Sequence, residues 1–300
     1  MTFTKMHGLG NDYIYIDMIS NKYDYSDDEL VVLSKRLSDR HFGIGSDGLI
    51  TIEKSEIADF KIRIFNKDGS TAGMCGNGIR CVGRYVYDNK LTTKTDISIE
   101  TLSGIKKVKL IIEDNEVKSV IADIGKPILD LMKIPALCTS NDSKRIYLKI
   151  DNNDYILTPI SMGNPHAVTL VKSIDDIDVN RVGELIENDF HFPEKTNVEF
   201  VEYVDPSNIK MRVYERGSKE TYSCGTGAGA SVVYTFLNGL TKREVKVSLM
   251  GGVLDVNYNK KDDHVYIKGP VHEVFKGSVD DTKILKLINN SRWLIYYFLI

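Results

Sequence analysis

Two segments of the chain follow one pattern 149 residues apart, about half of its 300-residue length. Arg63-Ile-Phe-Asn-Lys-Asp-Gly leads, twelve positions on, to Cys75-Gly76-Asn77-Gly78. Arg212-Val-Tyr-Glu-Arg-Gly leads, at the same interval, to Cys224-Gly225-Thr226-Gly227. In the same register the loop Ser46-Asp47-Gly48 falls on Lys195-Thr196-Asn197. A shared offset of this kind predicts two similar halves, each presenting one cysteine.

The local pattern gives the class. Short runs rich in β-branched and aromatic residues at 13–18, 49–53, 61–65 and 97–101 read as strands, as do 155–159, 167–171, 198–204 and 209–214. Runs 106–113 and 118–123 flank Asp114-Asn115 as a hairpin, and 246–249, 253–258 and 264–268 finish the chain in strands. Ser26-Asp27-Asp28-Glu29 is a capping box that opens an amphipathic helix to about residue 38, and 178–188 is helical. The expected class is mixed α/β with much antiparallel sheet.

Each repeated cysteine closes a strand-and-turn segment and opens a helical run, 79–87 or 228–237. Its sulfur therefore falls near a helix N-terminus, where unpaired N–H groups favour an anion and draw a thiol pKa from about 8.5 toward neutrality. The flanking glycines let backbone N–H groups approach a bound carboxylate. An α-proton is hard to remove from an amino acid, and many enzymes use pyridoxal phosphate as the electron sink. No setting for that cofactor is visible. The other solution is a pair of bases on opposite faces of the carbon, one thiolate and one thiol, and two pseudo-symmetric halves supply it. Cys81 and Cys138, outside the repeat, read as small buried hydrophobes.

Composition narrows the partners. The net charge of −3, without a basic stripe, gives no case for nucleic acid. Four cysteines without C-x-x-C spacing indicate free thiols, no metal centre and a reducing cytoplasm, and no secretory h-region opens the chain. The apolar run 293–300 is too short to span a bilayer and is expected to pack on its own domain or on a partner, with a peripheral membrane contact as the alternative. Gly43-Ile-Gly45-Ser-Asp-Gly48 fits a dinucleotide-binding pattern, but it follows a helix and precedes a strand, the reverse of what that fingerprint needs.

Several longer motifs carry a resemblance: Met6-His-Gly-Leu-Gly-Asn11-Asp12, Phe42-Gly-Ile-Gly-Ser-Asp47-Gly48, Arg63-Ile-Phe-Asn66-Lys-Asp-Gly69, Cys75-Gly-Asn-Gly78, Gly163-Asn164-Pro-His166, Thr196-Asn197-Val-Glu-Phe, and Glu215-Arg216-Gly followed by Glu220-Thr and Cys224-Gly-Thr-Gly-Ala228. From residue 2 to about 277 the chain resembles the diaminopimelate epimerase family. The resemblance implies two pseudo-symmetric domains, each a curved, mostly antiparallel sheet around a central helix. Residues 1–125 with 272–300 would carry Cys75, and 126–271 would carry Cys224, with the active site in the interdomain cleft. It also implies that Cys75 and Cys224 are the catalytic acid/bases. Asn11, Asn66, Asn164, Asn197, Glu215 and Arg216 would hold the distal amino-acid end of the substrate, a set whose fixed guanidinium suits a carboxylate and whose carboxylate and amide oxygens suit an ammonium. Gly76, Asn77, Gly225 and Thr226 would bind the reacting carboxylate through backbone N–H groups, and His166 and Glu215 would orient or tune the thiols. Ser218 and Lys219 depart from the small residues usual in the last motif, and Gly48 replaces a Gln found in some members.

The implied reaction interconverts L,L- and meso-diaminopimelate without a cofactor or metal. A same-family racemase acting on lanthionine or histidine is the alternative, although histidine has no distal amino-acid group for Glu215 and Arg216. A non-catalytic amino-acid-binding protein is a third, and it would be expected to lose one cysteine. The sequence leaves the oligomeric state open between monomer and homodimer.

Overall fold

The computed structural model describes residues 1–138 and 144–286, so the apolar run 293–300 lies outside the described residues. In the first half of the chain the elements are β1 (Thr2–Gly8), β2 (Asn11–Asp17), α1 (Asp27–Leu37), β3 (Gly48–Glu53), β4 (Phe60–Asn66), β5 (Thr71–Ala72), α2 (Gly76–Asp88), β6 (Asp96–Thr101), β7 (Gly104–Glu113) and β8 (Glu116–Asp123). In the second half they are β9 (Ile146–Ile150), β10 (Asn153–Ser161), β11 (Pro165–Val171), α3 (Val179–Glu187), β12 (Asn197–Asp205), β13 (Asn208–Glu215), β14 (Lys219–Thr221), α4 (Gly225–Leu237), β15 (Glu244–Leu249), β16 (Gly252–Tyr258), β17 (Val265–Gly269) and β18 (His272–Ser278). The chain forms two compact units. One comprises Met1–Gly8, Asp12–Lys107 and the described residues from Val271 on; the other comprises Leu9–Asn11 and, among the described residues, Val108–Pro270.

In the first unit β2 runs parallel to β3, β3 antiparallel to β4, and β4 antiparallel to β5 and parallel to β6. The Ser26 capping box is formed, with its hydroxyl accepting from the Glu29 N–H and the Glu29 carboxylate accepting from the Ser26 N–H. Leu30, Leu33 and Leu37 of α1 recur at helical spacing and bury against Ile14, Ile16, Leu49 and Phe65 of the sheet. The runs read from the sequence miss β9, the short β5 and β14, and the pair β1 and β18. β1 buries the polar Thr4 and Lys5, and β18, its antiparallel partner, is exposed along most of its length, so neither shows apolar alternation.

The second unit repeats the same moves. β11 is parallel to β12, β12 antiparallel to β13, and β13 antiparallel to β14 and parallel to β15. The repeat holds residue for residue, since Ile64 pairs with Ala72 and Val213 with Thr221, each 149 positions on. Asp114 and Asn115 turn the β7–β8 hairpin with φ of 50° and 61°. Helix α4 begins Gly-Thr-Gly-Ala-Gly-Ala-Ser, all buried, and touches strands β10 to β13 and β15 to β17. Small residues are what let a sheet wrap one helix so closely: a side chain at Gly229 would press on Ile124 at 2.8 Å. This is the expected curved sheet around a central helix.

Candidate active site

Cys75 and Cys224 are the N-cap residues of α2 and α4. Their backbones are extended and nearly alike, with φ/ψ of −138°/114° and −119°/113°. Each sulfur accepts from the N–H three residues on, Gly78 at 3.3 Å and Gly227 at 3.4 Å. An N-cap is usually a Ser, Thr, Asp or Asn oxygen. A sulfur in that place takes over an unpaired helix N–H and sits in the positive field of the helix end. Gly76, Asn77, Gly225 and Thr226 form the first turns behind the two caps and are buried.

The two sulfurs have unlike surroundings. Around Cys224, which is itself buried, a chain of polar groups runs back into the sheet. Its sulfur lies 3.4 Å from the Thr226 hydroxyl, and that oxygen accepts from the Asn164 amide at 3.3 Å. The Asn164 oxygen lies 3.0 Å from His166 Nε2, and His166 Nδ1 lies 2.7 Å from Glu199 Oε1. Burial pushes the Cys224 thiol well above its usual range, and the Glu215 and Glu199 carboxylates add to the push. The Thr226 hydroxyl and Gly227 N–H oppose it without prevailing. The expected fall toward neutrality therefore does not occur at Cys224, because desolvation of the thiolate outweighs the helix end.

Cys75 is only half-buried, and the charge built near it is positive. Arg80, one turn into α2, is fully buried and donates to the Gly76 carbonyl at 3.2 Å and to Asn77 Oδ1 at 2.9 Å. Burial holds its guanidinium below the usual arginine range, while Cys81 and Cys75 pull the other way. Cys81 is sealed in the core, which pushes its thiol up to about 12, in keeping with a packing role. Sequence reading passed over both Arg80 and Glu199. The signal each leaves is a charged residue between two apolar ones, Ile79 and Cys81 or Val198 and Phe200.

The remaining residues fall as follows. Asn197 closes a loop, donating to the Pro165 carbonyl at 2.8 Å and accepting from the Arg216 N–H at 2.9 Å. Arg216 is exposed and donates to the Glu194 carbonyl at 3.2 Å. Glu215 accepts from the Thr221 hydroxyl, and its charge reaches Cys224. Asn164, His166, Glu215, Cys224 and Thr226 thus gather within the second unit. Asn66, half-buried at the end of β4, donates to Ser70 at 3.0 Å, and Asn11 is half-buried at the start of β2. Gly48 has no room for a longer residue, because a Cβ there would run into the Phe65 carbonyl. Among the described residues no group of three or more His, Cys, Asp or Glu could hold a metal ion, and no helix is long and apolar enough to cross a membrane.

Known proteins resemble this chain over most of its length. The family profile described as Diaminopimelate epimerase matches residues 3–129 and 158–274. A diaminopimelate epimerase of Methanococcus maripaludis is 50% identical over 280 residues, 93% of this chain and 100% of its own. One from Acetivibrio thermocellus is 48% identical over 93% of this chain and 99% of its own. Among solved structures, a hydroxyproline epimerase from Agrobacterium vitis overlays with a TM-score of 0.67 at 15% identity, covering 92% of this chain and 91% of its own. A PhzF-family protein of Bacillus anthracis gives 0.65 at 16% identity, covering 93% and 98%; both show the fold alone. The chain belongs to the diaminopimelate epimerase family.

Proposed function

We propose that this member of the diaminopimelate epimerase family interconverts L,L- and meso-2,6-diaminopimelate, with Cys75 and Cys224 as its two bases and no pyridoxal phosphate. The observation that carries the reading is the matched pair of cysteine N-caps, each with a helix N–H at its sulfur. One sulfur, as thiolate, removes the α-proton; the other, as thiol, gives a proton to the opposite face. The resting thiolate is assigned to Cys75, beside buried Arg80, and the proton to Cys224, whose neighbours are carboxylates. Charge that develops on the substrate carboxylate is met by the N–H groups of Gly76, Asn77, Gly225 and Thr226. Asn11, Asn66, Asn164, Asn197, Glu215 and Arg216 take the distal amino-acid end, and His166 with Glu215 tunes the thiols. The proposal extends to a cytoplasmic homodimer, which light scattering of the purified chain tests for mass.

The test is proton NMR of L,L-diaminopimelate with the reduced protein in deuterated water. The α-proton signal should fade as the meso isomer appears, and Cys75→Ala and Cys224→Ala should each abolish both changes. Exchange of meso-lanthionine or L-histidine in parallel tubes, with diaminopimelate untouched, would replace the substrate while keeping the two bases.

A further inference from the structure

Glu199 is fully buried in β12, and its Oε2 has no hydrogen-bond partner among the described residues. Such an atom costs free energy, because its lost hydration is not returned. The molecule contains its own control. Ile50 stands 149 positions earlier, and its Cδ1 faces Gly78 as Glu199 Oε1 faces Gly227; a Cβ built on either glycine would lie 2.7 or 2.6 Å away. The scaffold accepts an apolar side chain at this place, so packing does not require a carboxylate there.

What Glu199 does reach is His166 Nδ1, at 2.7 Å, and from there a single file of polar atoms leads to the sulfur. The Asn164 oxygen faces Nε2 and the Glu199 carboxylate faces Nδ1, so both ring nitrogens have an acceptor within hydrogen-bond distance. The Asn164 amide nitrogen then donates to Thr226 Oγ1, which leaves the Thr226 hydrogen free to point at Cys224. We propose that Glu199 is a positioning residue for Cys224, holding His166 as a double donor so that the file through Asn164 and Thr226 ends with an O–H aimed at the sulfur. The inference rests on the reading of Cys224 as a base, since only a sulfur that must become a thiolate benefits from a donor.

A glutamine at 199 keeps the shape and removes the cause. Its carbonyl accepts Nδ1–H from a neutral ring, whose bare Nε2 then needs a donor. The Asn164 carboxamide turns over to supply one, its oxygen takes the Thr226 hydrogen, and the Thr226 oxygen is left to accept the thiol S–H. Through-space charge nearly cancels, because the ring gives up its positive charge as residue 199 gives up its negative one, so a shift of this size has to pass along the file through Thr226. The ionisable groups facing Cys224 are Glu215 on β13, Glu199 on β12 and His166 on β11.

The experiment is iodoacetamide alkylation of Cys224 in the full, reduced chain from pH 7 to 11, read by peptide mass spectrometry, with folding checked by near-ultraviolet circular dichroism at each pH. Glu199→Gln should raise the pH of half-maximal alkylation by about one unit, a tenfold loss of thiolate, as should Thr226→Val. Combined, they should do no more than Thr226→Val alone. A downward or absent shift in Glu199→Gln overturns the proposal, as does a shift that persists in the Thr226→Val background. Should Glu199→Gln not fold, an unmoved Thr226→Val overturns it equally. No substrate enters the assay, so its failure leaves the diaminopimelate result standing, and the converse holds.

Discussion

Gly227→Ala should cost stability where its repeat partner, Gly78→Ala, does not. Both sit at the third position of a helix whose N-cap is cysteine, so alanine gains about 0.5–1 kcal/mol of helix propensity at either. The difference lies in what the new methyl meets. At 78 it comes within 2.7 Å of Ile50 Cδ1, the free end of a side chain that a rotamer adjustment of about 0.5–1.5 kcal/mol can move. Propensity and adjustment then nearly cancel. At 227 it comes within 2.6 Å of Glu199 Oε1, a buried atom held at 2.7 Å by His166. Overpacking of that kind costs about 1–3 kcal/mol, so roughly 1–2 kcal/mol remains after the propensity gain. Scanning calorimetry under reducing conditions should show Gly227→Ala melting about 2–4 °C lower and Gly78→Ala within about 1 °C of the parent. In a Glu199→Ala background, Gly227→Ala should lose most of its penalty. Equal losses at the two glycines, or a penalty indifferent to Glu199, would refute the reasoning.

Two further outcomes follow from the surroundings of single groups. At pH 8, iodoacetamide should modify Cys75 at least about tenfold faster than Cys224, since Cys75 is half-buried whereas burial and two carboxylates keep the Cys224 proton in place; timed mass spectrometry showing the reverse order would remove the assigned resting state. Asp59 has its carboxyl lowered to about 2, chiefly by Lys94 and then by the Ser98 N–H and hydroxyl. A folded-state pKa below the unfolded one adds stability that is complete above about pH 4 and fades toward pH 2. Asp59→Asn should therefore cost about 1–2 kcal/mol at neutral pH, a figure reduced because Lys94 is largely exposed. The cost should vanish near pH 2; urea midpoints at the two pH values test this, and a constant difference would contradict it.

Much of this molecule is legible in one dimension because repetition and capping are written locally. The 149-residue offset predicts two similar halves, and their strand pairings do repeat at that offset, while the Ser26 capping box marks where α1 begins. The two cysteines announce themselves by the glycines that follow. What stays hidden depends on neighbours far along the chain. β1 buries Lys5 and Thr4, which no apolar alternation would suggest, and β18 is recognisable only beside it. Glu199 stands in the buried first half of β12, and a carboxylate there has no meaning until His166 and Gly227 are seen to face it. The ionisation of Cys224 is the clearest case. A helix end can be read from sequence, but the depth of burial that overrides it cannot.

The pairing of β1 with β18 sets a timetable for synthesis. One edge of the first strand to leave the ribosome is covered early by β2, but the other waits for a partner 265 residues behind it, His272 opposite His7. The second unit, whose segment 108–270 closes on itself, has nearly all its own strands while the chain is still being made. Domains fold as units during translation, and an uncovered strand edge invites aggregation in the interval. Translation that stalls between β17 and β18 should therefore release a polypeptide with a finished second unit and an open first one, and chaperone demand for this protein should concentrate on its earliest-made end.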